Sequence, residues 1–267
     1  MWATAKPTVF ERLVEWGGEM PQRCRLTDRG ESKIGRIVSS AFISFVRVVI
    51  EGDLDQLSSR LAARPELATM SSETGATRGD ASTFFFTEIA HYLYAGDTAL
   101  HMAAAAFRRP VVELLIACGA DCRARNRRGA EPLHYAADTN RWNPDAQAET
   151  IEYLISMGAE SNAQEIGGAT PLHRAVRTRS LPAVRALLDG GANPRLRNKS
   201  GSTPLHLAVQ TTGRGGSGSV EGRQQQADIV KLLLDRGARL TDRDGNGKQV
   251  RQAATSEWIR ELLNHST

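Results

Sequence analysis

Cysteine is scarce in this sequence. Its 267 residues hold three, Cys24, Cys118 and Cys122, an odd number that argues against a disulfide-stapled fold and fits a reducing, cytoplasmic setting. Cys118 and Cys122 stand around a Gly-Ala turn in place of small apolar residues, so buried thiols are expected there. Long apolar runs are missing too. The longest, 38–50, is interrupted by Ser39, Ser40, Ser44 and Arg47, and no basic segment followed by an apolar one opens the chain, so neither a membrane span nor a signal peptide is expected. Lysine supplies only five of the 34 basic residues. The net formal charge of +4 is too small to select nucleic acid as a partner by itself. At 40% hydrophobic and 24% charged residues, the composition is that of an ordinary soluble globular protein.

Catalytic signatures are absent as well. No HExxH, paired CxxC or GxSxG occurs, and Cys118-x-x-x-Cys122 has no histidine close by in the sequence to complete a zinc set, so no metal, cofactor or enzyme activity is expected.

What is present is repetition. The segment 167–191 contains Thr170-Pro171-Leu172-His173, then Ala175 and Val176, then Val184, Leu187 and Leu188, and ends at Gly191, which Ala192 follows. Thr98-Ala99-Leu100-His101 and Glu131-Pro132-Leu133-His134 precede it, and Thr203-Pro204-Leu205-His206 follows. The four starts lie 33, 39 and 33 residues apart, and Gly119, Gly158 and Gly191 each fall 12 residues before the next start. Each copy carries a mechanical reading. The threonine hydroxyl caps a helix whose first position takes proline. Leu172, Ala175 and Val176 share one face of that helix, and Pro110 and Pro182 begin a second helix packed on it. The glycine suits a left-handed residue ending the second helix, and the residues after it form a projecting finger. One such pair buries too little to stand alone, so copies must stack.

A period near 33 with TPLH inside it resembles the ankyrin repeat. The resemblance covers 36–264 and implies an all-α solenoid of stacked helix pairs with finger loops. Full repeats would occupy 96–246, with an amino-terminal cap at 36–70 and a carboxy-terminal cap at 247–264, where the apolar register persists without the tetrapeptide. It also implies that His101, His134, His173 and His206 are structural, together with Thr98, Thr170 and Thr203. Only His91 and His265 are left over. Glu131 departs from the family's capping threonine, and Phe107 and Arg179 stand where glycine usually ends the first helix, so these places are expected to be locally less stable.

Outside the period, residues 1–35 form an extension in which Thr8-Val9-Phe10-Glu11 reads as a capping box and Gly17-Gly18 as a stop. The stripe Phe10, Leu13, Val14 seals the first repeat or meets a partner. Three insertions interrupt the array. The first, 70–95, concentrates five of the fifteen aromatics in 84–94; Phe86, Ile89, Ala90 and Leu93 have helical spacing, so a short helix folded back on the array is expected, with an aromatic contact site as the alternative. The second, 141–149, and the third, 212–225, fall between the two helices of their copies. The third is glycine-rich over 213–219, yet it lacks the strand and the GKS or GKT ending of a phosphate loop and reads as a connector.

Arginine clusters on two fingers, as Arg123, Arg125 and Arg128 on one and Arg195 and Arg197 on another, with the finger 160–168 acidic between them. Arg174 and Arg177 lie on the first helix of the central copy, on the inner side that ankyrin arrays use for partners. These guanidinium forks suit carboxylate or phosphate. The expectation is a scaffold binding another protein with an acidic surface. Nucleic acid or a phosphorylated ligand, bound by the same arginines and the glycine-rich loop, is the alternative.

Overall fold

The computed structural model describes residues 33–138, 143–210, 219–254 and 256–264. The helix expected near Thr8, the stripe Phe10, Leu13 and Val14, Cys24, most of the glycine-rich connector and His265 lie outside them.

Helices come in pairs. α1 (Lys33–Glu51) and α2 (Leu54–Ala63) form the first, followed by α3 (Ala99–Ala105) with α4 (Arg109–Ala117) and α5 (Pro132–Ala136) with α6 (Pro144–Ser156). Then come α7 (Pro171–Thr178) with α8 (Leu181–Asp189), α9 (Pro204–Ala208) with α10 (Val220–Asp235), and α11 (Val250–Ala253) with α12 (Glu257–Asn264). The first helices stack as one row, α1 on α3, α5, α7, α9 and α11, and the second helices α2, α4, α6, α8 and α10 form a row beside it. Leu100, Leu133, Leu172 and Leu205 fill one layer of the core and Leu115, Leu154, Leu187 and Leu233 another, all fully buried.

The local chemistry follows the repeat. Thr170 accepts from the His173 backbone N–H while the His173 ring accepts from the Thr170 N–H, a reciprocal cap, with Pro171 at the first helical position. Gly119, Gly158, Gly191 and Gly237 end the second helices at φ 92°, 92°, 86° and 94°, a left-handed conformation that strains any residue with a side chain although the space around each is open. Phe107 and Arg179 hold the left-handed conformation at φ 52° and 60°, a strain of about 1 kcal/mol each for a residue with a Cβ. The final pair keeps the register without TPLH, since Gln249 opens α11 and its N–H donates to Gln252 Oε1 at 2.9 Å.

Three expectations change. The aromatic segment is a hairpin, not a helix: β1 (Phe85–Phe86) pairs antiparallel with β2 (His91–Tyr92), and Ala90 turns the chain at φ 47°. Phe86, Ile89 and Leu93 are nonetheless buried, so the spacing reported burial and not helix. The second and third insertions are partly helical, because Asn143 caps α6 by accepting from Ala146 N and Ser219 caps α10 by accepting from Gly222 N. The thiols of Cys118 and Cys122 are free and half-buried, not fully buried.

Where the second and third insertions leave the first helix, a glutamine closes the gap. Gln147 Nε2 donates to the carbonyls of Ala136 at 2.8 Å and Asp138 at 3.1 Å, and its Oε1 accepts from Ser180 Oγ at 2.7 Å. Gln226 Nε2 repeats the bond to Ala208 at 2.6 Å and reaches Gln210 at 3.4 Å, but its Oε1 finds no partner among the described residues. Gln147→Ala is therefore expected to cost about 2 to 3 kcal/mol by stranding buried carbonyls. Gln226→Ala should cost clearly less, and urea unfolding of the two variants checks the order.

Candidate functional site

The repeat histidines are consumed by architecture. His101 Nδ1 accepts from Thr98 N at 3.1 Å and Nε2 reaches the Ala130 carbonyl of the next finger at 3.1 Å. His134 bridges Glu131 N and Ala169 O, His173 bridges Thr170 N and Ser202 O, and His206 bridges Thr203 N and Lys248 O. Each ring thus ties one copy to the next, with Nδ1 accepting from the backbone N–H of its own cap and Nε2 facing a carbonyl of the following finger. Burial pushes the pKa values of His101 and His173 down. His134, buried and beside Arg174, falls to about 3.

Glu131 shows what a missing threonine does. Its carboxylate accepts from the His134 N–H and from Arg125 Nε at 3.0 Å, yet the side chain is 1% exposed and Oε2 has no hydrogen-bond partner among the described residues. Burial raises its pKa, with Arg125 opposing. A carboxyl whose folded pKa is raised destabilises the fold as pH rises through its ordinary range. Glu131→Thr should therefore stabilise by about 1 kcal/mol at pH 7, with the gain shrinking as the pH falls from the raised folded pKa toward 4.5; equal gains at pH 7 and pH 4 would show that the buried charge is not the cause.

The fingers are built on a side-chain turn. Asn126 Oδ1 accepts from Arg128 N and Ala130 N, Asn198 Oδ1 from Ser200 N and Ser202 N, and Asp244 Oδ1 from Asn246 N and Lys248 N. The central finger carries Glu165 at that register. Its longer side chain reaches inward to Arg174 Nη2, while Arg174 Nη1 donates to Asp138 Oδ2 at 3.1 Å. Arg174 occupies the position held by Met102, Tyr135 and Leu207 in the other copies. Its side chain is 10% exposed, and its guanidinium lies 5.9 Å from the Tyr135 ring centroid. The Tyr135 hydroxyl donates to Asp97 Oδ1 at 2.7 Å and accepts from Asn126 Nδ2 at 2.9 Å. Asp97 Oδ2 accepts from Tyr94 N at 2.6 Å, which ties the end of the hairpin segment to the array.

Tyr94, Asn126, Tyr135, Asp138, Glu165 and Arg174 line a cavity of about 530 Å³, with Asp97 buried behind its wall. The hairpin contributes Ala90, His91, Tyr92 and Tyr94, the fingers Asn126, Arg128 and Glu165, and the first helices with their ends Tyr135, Asp138, Arg174, Arg177, Thr178 and Arg179. Arg128 lies 5.2 Å from the Tyr94 ring centroid. Arg177, 57% exposed, reaches Asp138 Oδ1 at 3.4 Å. The structure thus gathers three of the arginines singled out in the sequence, Arg128, Arg174 and Arg177, at one cavity. It places the others elsewhere: Arg123 pairs with Glu160 of the next finger at 2.7 Å, Arg195 with Asp242 at 2.8 Å, Arg125 with Glu131, and Arg197 is exposed. Sequence reasoning missed Glu165, Asp138 and Tyr135. Setting the four copies side by side would have marked Glu165 as the finger residue that breaks the Asn/Asp rule.

Stacked helix pairs joined by projecting fingers, with one histidine per copy bridging to the next, define a helical repeat protein whose side chains between copies do structural work. A family model described as ankyrin repeats (3 copies) matches residues 81–165 and 143–244. The chain belongs to the ankyrin-repeat family, whose repeats generally mediate protein–protein interaction. A search of the curated proteins finds no match. Among the described residues, no helix is long and apolar enough to cross a membrane.

Proposed function

We propose that this chain is a non-enzymatic cytoplasmic scaffold that holds another protein through the inner, arginine-rich side of the array and recognises an acidic surface on it. The observation that carries this reading is the convergence of Arg128, Arg174 and Arg177 on one cavity between fingers, first helices and hairpin. Arg128 and Arg177 meet the partner there. Arg174 supports them from beneath, and Arg197, with Arg123, Arg125 and Arg195 in their ion pairs, offers further contacts along the fingers. The helix pairs α1–α2 and α11–α12 serve as the caps of the array. That four of the six histidines are tied into the repeat supports the non-enzymatic reading.

The test is co-purification from the source cells, after nuclease treatment, with the parent protein and with Arg128 and Arg177 both changed to Glu. An acidic protein retained by the parent and lost with the variant is the expected outcome. Equal retention by both would remove this face from the account, and loss of all binding on nuclease treatment would replace protein with nucleic acid.

A further inference from the structure

The first helix pair has a neighbour on one side only. α1 packs on α3 and α2 on α4, and among the described residues no further pair lies on the other side. Between α1, α2 and the turn Pro65–Ala68 runs a groove of about 220 Å³, to which neither α3 nor α4 contributes a residue. Its apolar lining is Ala41, Phe45, Ala63 and Leu67, and the charged side chains that line it are Arg60 and Arg64 alone. Both arginines are half-buried. The Arg60 guanidinium donates to neutral groups, Ser44 Oγ at 3.1 Å and Gln56 Oε1 at 2.8 Å. Arg64 Nε meets Glu66 Oε1 at 2.9 Å, with side chains 43% and 54% exposed, a solvated pair of little worth that uses one of the five donors of its guanidinium.

We propose that residues 8–16 of the same chain fill this groove and close that end of the array. Their sequence carries the matching pattern. Phe10, Leu13 and Val14 recur at i, i+3 and i+4, the spacing of one helical face, and suit the apolar lining. Glu11 and Glu15 stand four residues apart on the flank of that face. Arg60, in the last turn of α2, and Arg64, at its C-cap, stand four apart as well, so two ion pairs form in one register. Reach does not limit the arrangement: residues 17–32 span about 50 Å when extended, and Ala41 lies eight residues into α1, about 12 Å along its axis. A groove this small offers a second copy far less area than a stable dimer needs. A tethered segment needs no such area, because its linker keeps it at millimolar effective concentration.

The test is amide hydrogen exchange of the full chain, read by mass spectrometry on peptides covering 8–16 and 54–68. In the parent, 8–16 should exchange about tenfold or more slower than an unfolded chain. Leu13→Asp should remove that protection and speed exchange in 54–68 with it, leaving α8 unchanged. Arg60→Glu with Arg64→Glu should cost 8–16 about tenfold in protection. Adding Glu11→Arg and Glu15→Arg to that variant should restore it, which a fold merely damaged by the first two changes would not do. An unprotected 8–16 in the parent would overturn the proposal. Protection indifferent to the reversal of Arg60 and Arg64 would also overturn it, by holding the segment to another surface. So would protection that fades on dilution, since a second copy's segment would then fill the groove.

Discussion

Arg174→Ala is expected to cost about 3 to 5 kcal/mol, the usual result of removing one member of a buried ion-paired set. On sequence alone Arg174 belongs with the solvent-facing arginines, for which the expected change is below about 0.5 kcal/mol. The structure reverses the order of magnitude. Asp138 and Glu165, with side chains 16% and 14% exposed, would be left facing one another without their shared cation, and Tyr135 would lose the guanidinium beside its ring. Putting back what the other copies carry should rescue the loss. With Arg174→Leu, Asp138→Asn and Glu165→Asn together, the apolar register of Met102 and Leu207 returns and the finger regains its Asn turn, so most of the stability should return as well. Urea unfolding of the single and triple variants measures both. A single variant within about 1 kcal/mol of the parent would mean that the three charges are solvated and not a buried set.

Acid should unfold this protein through its histidines. His91, His101, His134 and His173 all have pKa values lowered by burial. A lowered histidine pKa means that below pH 6.5 the unfolded chain takes up a proton the folded chain refuses. Stability is therefore fully present above pH 6.5 and is lost as the pH falls toward the folded value. For His134 the window runs from 6.5 down to about 3, and at pH 5 that residue alone opposes folding by about 2 kcal/mol. The chain itself supplies the control, since in α11 Gln252 performs the capping bond of the histidine without a titrating ring. His134→Gln should thus shrink the loss of stability between pH 7 and pH 5 by about 2 kcal/mol, as read from urea unfolding at the two values. An identical loss in parent and variant would place the acid sensitivity elsewhere.

The array was legible because its signals are local and repeated. The spacing from Gly119, Gly158 and Gly191 to the next cap locates the finger, and a proline after the cap locates the helix start, whatever lies around them. The hairpin was not legible for a physical reason. Phe86, Ile89 and Leu93 are buried at intervals that a helix would also produce, and the left-handed turn at Ala90 uses a residue that carries no turn preference. The cavity was half legible: the arginines stood out as a class, but which were internal depended on residues far away in sequence. Arg174 reaches Asp138 across 36 residues, and only the comparison of copies, with Arg174 in an apolar column and Glu165 in an Asn/Asp column, carries that information. The helix starts inside the second and third insertions were not legible because Asn143 and Ser219, short polar residues, are turn formers and helix caps alike.

The central claim is that a protein partner lies on the inner, arginine-rich side of the array. Amide hydrogen exchange of the full chain, alone and saturated with its co-purified acidic partner, tests it most directly. Slowed exchange is expected in the fingers around 121–130 and 160–168, in α7 and in the hairpin segment 85–94, with the second helices α6 and α8 unchanged. Protection confined to α6 and α8, with the fingers and hairpin exchanging as in the free chain, would contradict it.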